Sequence, residues 1–196
     1  MKKRLVIGIS GASGVSYGIR LLEVLRDVPD VETHLIMSPA ASITIGLETS
    51  YVPEEIPALA DVTYRFQDIA AAVSSGSFQT EGMVVIPCSM KTLAGIANSF
   101  SDNLLLRAAD VTLKERRRLV LVARETPLHL GHLRLMTQVT EIGAIVAPPV
   151  PAFYHKPQSL TDIVDQTVNR VLDLMRIELP EDLFTRWQGG KAHRDT

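Results

Sequence analysis

Three scarcities bound what this chain can be. A single cysteine, Cys88, stands among 196 residues, so no intrachain disulfide can form and a disulfide-stapled secreted fold is excluded. Basic charge is not in excess: Lys and Arg number 20 against 22 Asp and Glu, a formal net charge of -2. No global field therefore draws nucleic acid or an anionic membrane to the protein. Long apolar runs are missing as well, so no segment reads as a bilayer span. Met1-Lys2-Lys3-Arg4 passes straight into an apolar strand with no signal-peptide core, and the expected location is the cytoplasm.

What is present is 46% hydrophobic residues, enough for one sizeable core. Short β-branched runs at 4–9, 31–37, 82–87, 118–123 and 144–147 suit parallel strands buried on both faces. Helical stretches at 16–27, 38–48, 89–98, 102–116, 129–141 and 159–176 alternate with them. Ser38-Pro39 has the form of an N-cap with proline at the first helical position, and Ser159 to Asp162 that of a capping box. The alternation predicts a single α/β domain over 1–187, a flavodoxin-like or Rossmann-like doubly wound parallel sheet with ligands at the carboxyl ends of its strands. Residues 50–80 look irregular, and 188–196 is expected to be a flexible tail.

Gly8 to Gly18 (GISGASGVSYG) joins the first strand to the first helix. It lacks the Lys-Ser/Thr pair of a Walker loop. It also lacks the glycine spacing of the dinucleotide fingerprint, and Met37-Ser38 stands where a ribose-binding acid would end the second strand. A turn of backbone N–H groups and serine hydroxyls at a helix start remains, suited to one phosphate or a mononucleotide polyol. A plain tight turn that packs the helix on the sheet is the other reading.

Two further strand ends place hydroxyls at helix starts, at Ser38 and in Pro87-Cys88-Ser89-Met90-Lys91-Thr92, and Arg124-Glu125 closes the strand at 118–123. Together these predict one site at one sheet edge, with Arg124 able to fork onto a phosphate. Taken singly, each serine is an ordinary N-cap. Arg107, Asp110 and Lys114 have the spacing of a solvent-facing ion-pair row, and Arg116-Arg117-Arg118 that of a solvated helix end. His129 and His132 lack the partner spacing of a metal site, and Cys88 is expected to be a buried apolar thiol.

Seven stretches carry a family resemblance: Gly11 to Gly14, Ser74 to Phe78, Pro87 to Leu93, Arg107 to Val111, Leu113 to Arg117, Leu121 to Pro127 and Pro151 to Gln158. In order and nearly along the whole chain, they resemble the UbiX family of flavin prenyltransferases, most closely its phenolic acid decarboxylase branch. The resemblance implies a homo-oligomer, dodecameric in the family, that binds reduced FMN. It implies joining of a dimethylallyl group from dimethylallyl phosphate or diphosphate to flavin N5 and C6, without metal. The prenylated FMN would serve a UbiD-type decarboxylase.

Carried onto this chain, the FMN contacts are Gly11, Ala12, Ser13, Ser38, Ser89, Met90, Lys91, Thr92 and Arg124. The donor phosphate falls to Arg107, Lys114, Arg124, Tyr154 and Arg170, and the catalytic set is Ser13, Glu48, Lys114 and Glu125. Expelling phosphate from an allylic carbon calls for cations and acids around the leaving group. Arg107 and Lys114, seven apart on one helix face, are expected in one anion pocket, with Tyr154 and Arg170 completing it from the same chain or from a neighbouring subunit. Asp68-Ile69-Ala70-Ala71 departs from monophosphate-using members, which leaves the donor open. Three competing functions stay open at this point: a cysteine-type flavin decarboxylase, a non-catalytic FMN-binding component of a phenolic acid decarboxylase, and a Rossmann oxidoreductase.

Overall fold

The computed structural model describes residues 2–189. Most of the expected tail, residues 190–196, lies outside the described residues. Six parallel strands, β1 (Lys3–Ile9), β2 (Val31–Met37), β3 (Val62–Tyr64), β4 (Gly82–Cys88), β5 (Arg118–Ala123) and β6 (Ile145–Val146), form one sheet in the order β3-β2-β1-β4-β5-β6. The helices are α1 (Val15–Leu25), α2 (Pro39–Glu48), α3 (Met90–Ala97), α4 (Leu104–Lys114), α5 (Leu130–Glu141) and α6 (Leu160–Met175). This is the doubly wound sheet that the alternation predicts. The chain leaves β1 toward β2, then crosses back to β4 on its other side, so the order reverses between β1 and β4. Ligands of such sheets bind at that reversal, above the strand ends.

Side chains alternate across each strand and so build two cores. Leu5, Ile7 and Ile9 of β1, Val84 and Ile86 of β4 and Val120 and Val122 of β5 share one cluster with residues of α1, α2 and α6. Val6, Met83, Val85, Leu119 and Leu121 fill the other with residues of α3, α4 and α5. Burial of each such side chain stabilises the fold by about 1.5–3 kcal/mol. Since both faces are covered, the strands read as unbroken apolar runs and not as an alternating pattern.

Capping chemistry sets the helix starts. The Ser38 hydroxyl accepts the N–H of Ala41 at 3.1 Å, with Pro39 at the first helical position. Ser159 and Asp162 form the reciprocal capping box at the head of α6. Asn103 caps α4 through the Leu106 N–H at 3.1 Å, which sets its first residue at Leu104.

Two stretches differ from the sequence expectation. Residues 50–80 hold an edge strand, β3, and short 3-10 turns at Pro53–Leu59 and Ala72–Ser74, with Ile56 fully buried. Three residues of strand and proline-punctuated turns offer no periodicity to detect. Arg116 to Arg118 is not a solvated helix end: α4 stops at Lys114, and Arg118 opens β5. Arg117 instead clasps the 76–80 loop, donating to the carbonyls of Gly76 at 2.7 Å and Phe78 at 2.8 Å.

Candidate functional site

At the carboxyl edge the strand ends are stitched to one another. Ser38 N–H donates to Ile9 O at 3.0 Å, and Arg124 N–H to Cys88 O at 3.1 Å. Ser10 joins β1 to β4, its hydroxyl donating to Pro87 O at 2.9 Å while accepting the N–H of Ser89 at 2.8 Å. These bonds bring the starts of α1, α2 and α3 onto one floor. Ser38 and Ser89 each cap a helix there, and the Ser89 hydroxyl also donates to the Thr92 hydroxyl at 3.1 Å. Helix N-termini carry positive partial charge and N–H donors, so the floor suits the phosphate of a mononucleotide. A Cβ at Gly11 would sit 2.3 Å from Ala40 Cβ, so only glycine lets this turn approach α2.

Beside the floor lies a crevice of about 650 Å³. Its polar side carries Ser13, Glu48, Arg124 and Glu125; its apolar side is built by Pro148, Pro149 and Val150 beyond β6 and by Leu160, Ile163 and Val164 of α6. Charge on one wall and hydrocarbon on the other fit an amphiphile with an anionic head and a short apolar chain. Glu125 accepts the Thr126 N–H at 3.0 Å, and Arg124 stands exposed at the end of β5. The first turn corrects one expectation. Its N-cap is Gly14 at φ 95°, with no side-chain cap, and its N–H is taken by Glu48 Oε2 at 2.8 Å. A carboxylate on a helix N-terminus is electrostatically favourable, so Glu48 occupies the direction expected to be free for phosphate.

The residues assigned by resemblance divide into two groups. Ser13, Glu48, Arg124 and Glu125 line the crevice, and Gly11, Ala12, Ser38, Ser89, Met90, Lys91 and Thr92 occupy the adjoining strand ends. Arg107, Lys114, Tyr154 and Arg170 do not line it in their own chain. Arg107 and Lys114 do share the face of α4 that meets the 74–76 turn: Arg107 Nε donates to Ser74 O at 3.2 Å, and a Cβ at Gly76 would lie 2.7 Å from Lys114 Nζ. Arg107 is paired with Asp110 at 2.6 Å and Lys114 with Glu115. Lys114 ends α4 just before Arg118, the residue opposite Gly82 at the amino ends of β4 and β5, so it sits across the sheet from the crevice. The two cations therefore lie together at the 74–76 turn, away from the crevice of their own chain. The helix spans the height of the sheet, which periodicity alone does not reveal.

Arg170 lies well along α6 and pairs with Asp173 at 2.6 Å. Arg186 takes the same carboxylate at 2.9 Å and Asp182 at 2.5 Å, and together the two arginines hold Asp173 below the usual carboxylate range, Arg186 more strongly. Tyr154 stacks edge-on with Trp187 at 5.6 Å and Phe184 at 6.4 Å. Sequence reasoning missed Tyr17, Leu160, Ile163 and Val164 in the crevice; the helical spacing of the last three was a signal only of packing. His129 and His132 stack ring on ring at 3.6 Å, with His129 accepting the Gly131 N–H. Cys88 is fully buried, and burial pushes its thiol pKa up, away from thiolate chemistry. No helix among the described residues is long and apolar enough to cross a membrane.

Comparison with known proteins meets this geometry. The Flavoprotein family model matches residues 1–172. The flavin prenyltransferase UbiX of Escherichia coli K12 is 70% identical over 187 residues, covering 95% of this chain and 99% of that one. The crystal structure of AnUbiX in complex with FMN and dimethylallyl pyrophosphate superposes with a TM-score of 0.92 at 53% identity, covering 97% of this chain and all of the other. A dodecameric FMN-dependent UbiX-like decarboxylase from Escherichia coli O157:H7 superposes with a TM-score of 0.90 at 52% identity, over 95% of this chain and 99% of that one. The chain belongs to the flavoprotein family, among its UbiX flavin prenyltransferases.

Proposed function

We propose that the chain is a flavin prenyltransferase. It binds reduced FMN across the carboxyl edge of the sheet, joins a dimethylallyl group from the phosphate or diphosphate to flavin N5 and C6, and works in the cytoplasm as the supplier of a UbiD-type decarboxylase. The crevice carries this reading: an arginine and two carboxylates face an apolar wall beside a floor of helix N-termini. The relative 70% identical over nearly the whole chain bears the same activity in its name. A cysteine-type decarboxylase or a Rossmann oxidoreductase is not favoured by that likeness.

When bound, the reduced flavin supplies the electron-rich surface and the nucleophilic nitrogen. The chain's own residues do the rest. Arg124 holds the departing phosphate, whose oxygen receives the electron pair of the allylic C–O bond. Glu125 carries protons at the phosphate and from flavin C6, Glu48 orders the glycine turn beside it, and Ser13 relays at N5. Ser38, Ser89 and Thr92 hold the flavin phosphate at their helix starts.

Arg107, Lys114, Tyr154 and Arg170 complete the crevice of an adjacent protomer in a homododecamer. Two features support this. All four lie outside the crevice of their own chain, and the rim residues Val150 and Leu160 are 73% and 81% exposed, apolar surface that a second copy would cover. The test is to incubate pure protein with reduced FMN and each dimethylallyl donor, then weigh the bound flavin. A gain of one prenyl unit is expected; an unaltered flavin would favour the non-catalytic FMN carrier.

A further inference from the structure

We propose that Tyr17 is a further substrate-contacting residue: its phenol hydroxyl donates a hydrogen bond to the prenyl donor's phosphate, beside Arg124. The inference deepens the flavin prenyltransferase reading and rests on it. Tyr17 stands in the first turn of α1 and lines the crevice together with Arg124, Glu48 and Glu125. Its ring is fixed over the glycine turn, since a Cβ at Gly14 would lie 3.0 Å from Cδ2 and 3.1 Å from Cε2, and its body packs on the core. The hydroxyls of Tyr64 and Tyr51 are taken up by His34 and Glu23. That of Tyr17 has no such partner among the described residues.

Half-burial raises the Tyr17 pKa, while the charge of Arg124 pulls it back. The phenol therefore stays protonated at neutral pH, able to donate, and close enough to Arg124 for the guanidinium to be felt. An anion gripped by Arg124 meets two carboxylates in the same crevice, Glu48 and Glu125, which repel it when ionised. A neutral donor is what a phosphate needs there. As the allylic C–O bond breaks, its electron pair passes to the phosphate oxygen; the carbon bonds to flavin N5, whose proton passes by way of Ser13 to the departing phosphate. Tyr17 keeps its own proton and strengthens its hydrogen bond as the oxygen gains charge.

The test is Tyr17→Phe, which keeps the ring and deletes one oxygen. Steady-state rates with dimethylallyl phosphate, inhibition by inorganic phosphate, FMN affinity by flavin fluorescence and the urea unfolding midpoint are measured side by side. The expected result is a kcat/KM lower by about 10–100-fold and phosphate inhibition weakened by about 10-fold or more. FMN affinity and unfolding midpoint stay at parental values. Parental kcat/KM with parental phosphate inhibition would overturn the proposal, and so would FMN affinity falling in step with activity. If the parent adds no prenyl unit, the enzymatic reading fails by itself, whereas calorimetric titration of the FMN-loaded parent and Tyr17→Phe proteins with inorganic phosphate still decides for or against the Tyr17 contact.

Discussion

Two settings separate Arg124 from the paired cations of the helices. On α4, on α6 and in the segment after α6 they are spoken for: Arg107 by Asp110, Lys114 by Glu115, Arg170 and Arg186 by Asp173. At the carboxyl edge, Arg124 stands over a crevice among carboxylates that bond backbone N–H groups, Glu48 with Gly14 and Glu125 with Thr126. An exposed pair stabilises by at most about 1 kcal/mol, so the outer pairs are easily exchanged for a stronger anion. A charge and its acids held in one crevice without pairing to each other are arranged for a ligand. On the proposed assembly, the difference separates residues ready in one chain from residues that wait for a neighbour.

The sharpest way to break that distinction is Arg124→Ala. Loss of the guanidinium should lower prenyl transfer by about 10³-fold at saturating reduced FMN, read as the rate of prenylated flavin formation. A rate within about threefold of the parent would remove Arg124 from the leaving group. Next in size, Glu125→Gln should cost about 10²-fold, with the loss confined to the transfer step and FMN binding retained. To sharpen the distinction, inactive Arg124→Ala and Lys114→Ala proteins can be unfolded together and refolded as mixed oligomers. Activity should return, because some crevices then combine an intact Arg124 from one protomer with an intact Lys114 from another. Mixtures no more active than either parent variant would place each site within one chain.

Smaller effects concern stability. Gly14→Ala should cost about 1–2 kcal/mol in urea unfolding, since φ is 95° and a Cβ there is disfavoured in itself. Asp61 lies far from the crevice, where it accepts the Thr33 N–H at 2.8 Å and hydroxyl at 2.9 Å. The backbone N–H first, and then the hydroxyl, hold its pKa below the usual carboxylate value. A depressed carboxylate contributes stability that is complete above its unfolded value, about pH 4, and is lost as pH falls through the folded one. Melting temperatures should therefore fall more steeply below about pH 4 for the parent than for Asp61→Asn. Parallel curves would show that Asp61 contributes nothing to acid sensitivity.

Much of this was legible in residues alone. The apolar runs of β1, β2, β4 and β5 and the caps Ser38 and Ser159 are local signals, set by side-chain period and by hydroxyls one turn from the N–H they satisfy. The strand ends bearing Ser13, Ser38, Ser89 and Arg124 followed, because a doubly wound sheet gathers such ends at one edge. Less legible was β3, whose three residues are ordered by pairing with β2. The pairing of Glu48 with Gly14 escaped as well, since it joins residues 34 apart in sequence.

The sequence by itself determined the parallel sheet, its order of elements and the family, because buried strands, capped helices and motif order are written locally. Only the tertiary structure decided that Arg124, Glu125 and Glu48 share a crevice with Tyr17 while Lys114 lies across the sheet. The reason is geometric: periodicity fixes the face of a helix on which a side chain sits, but which end of that helix reaches the ligand edge depends on how the whole chain crosses the sheet.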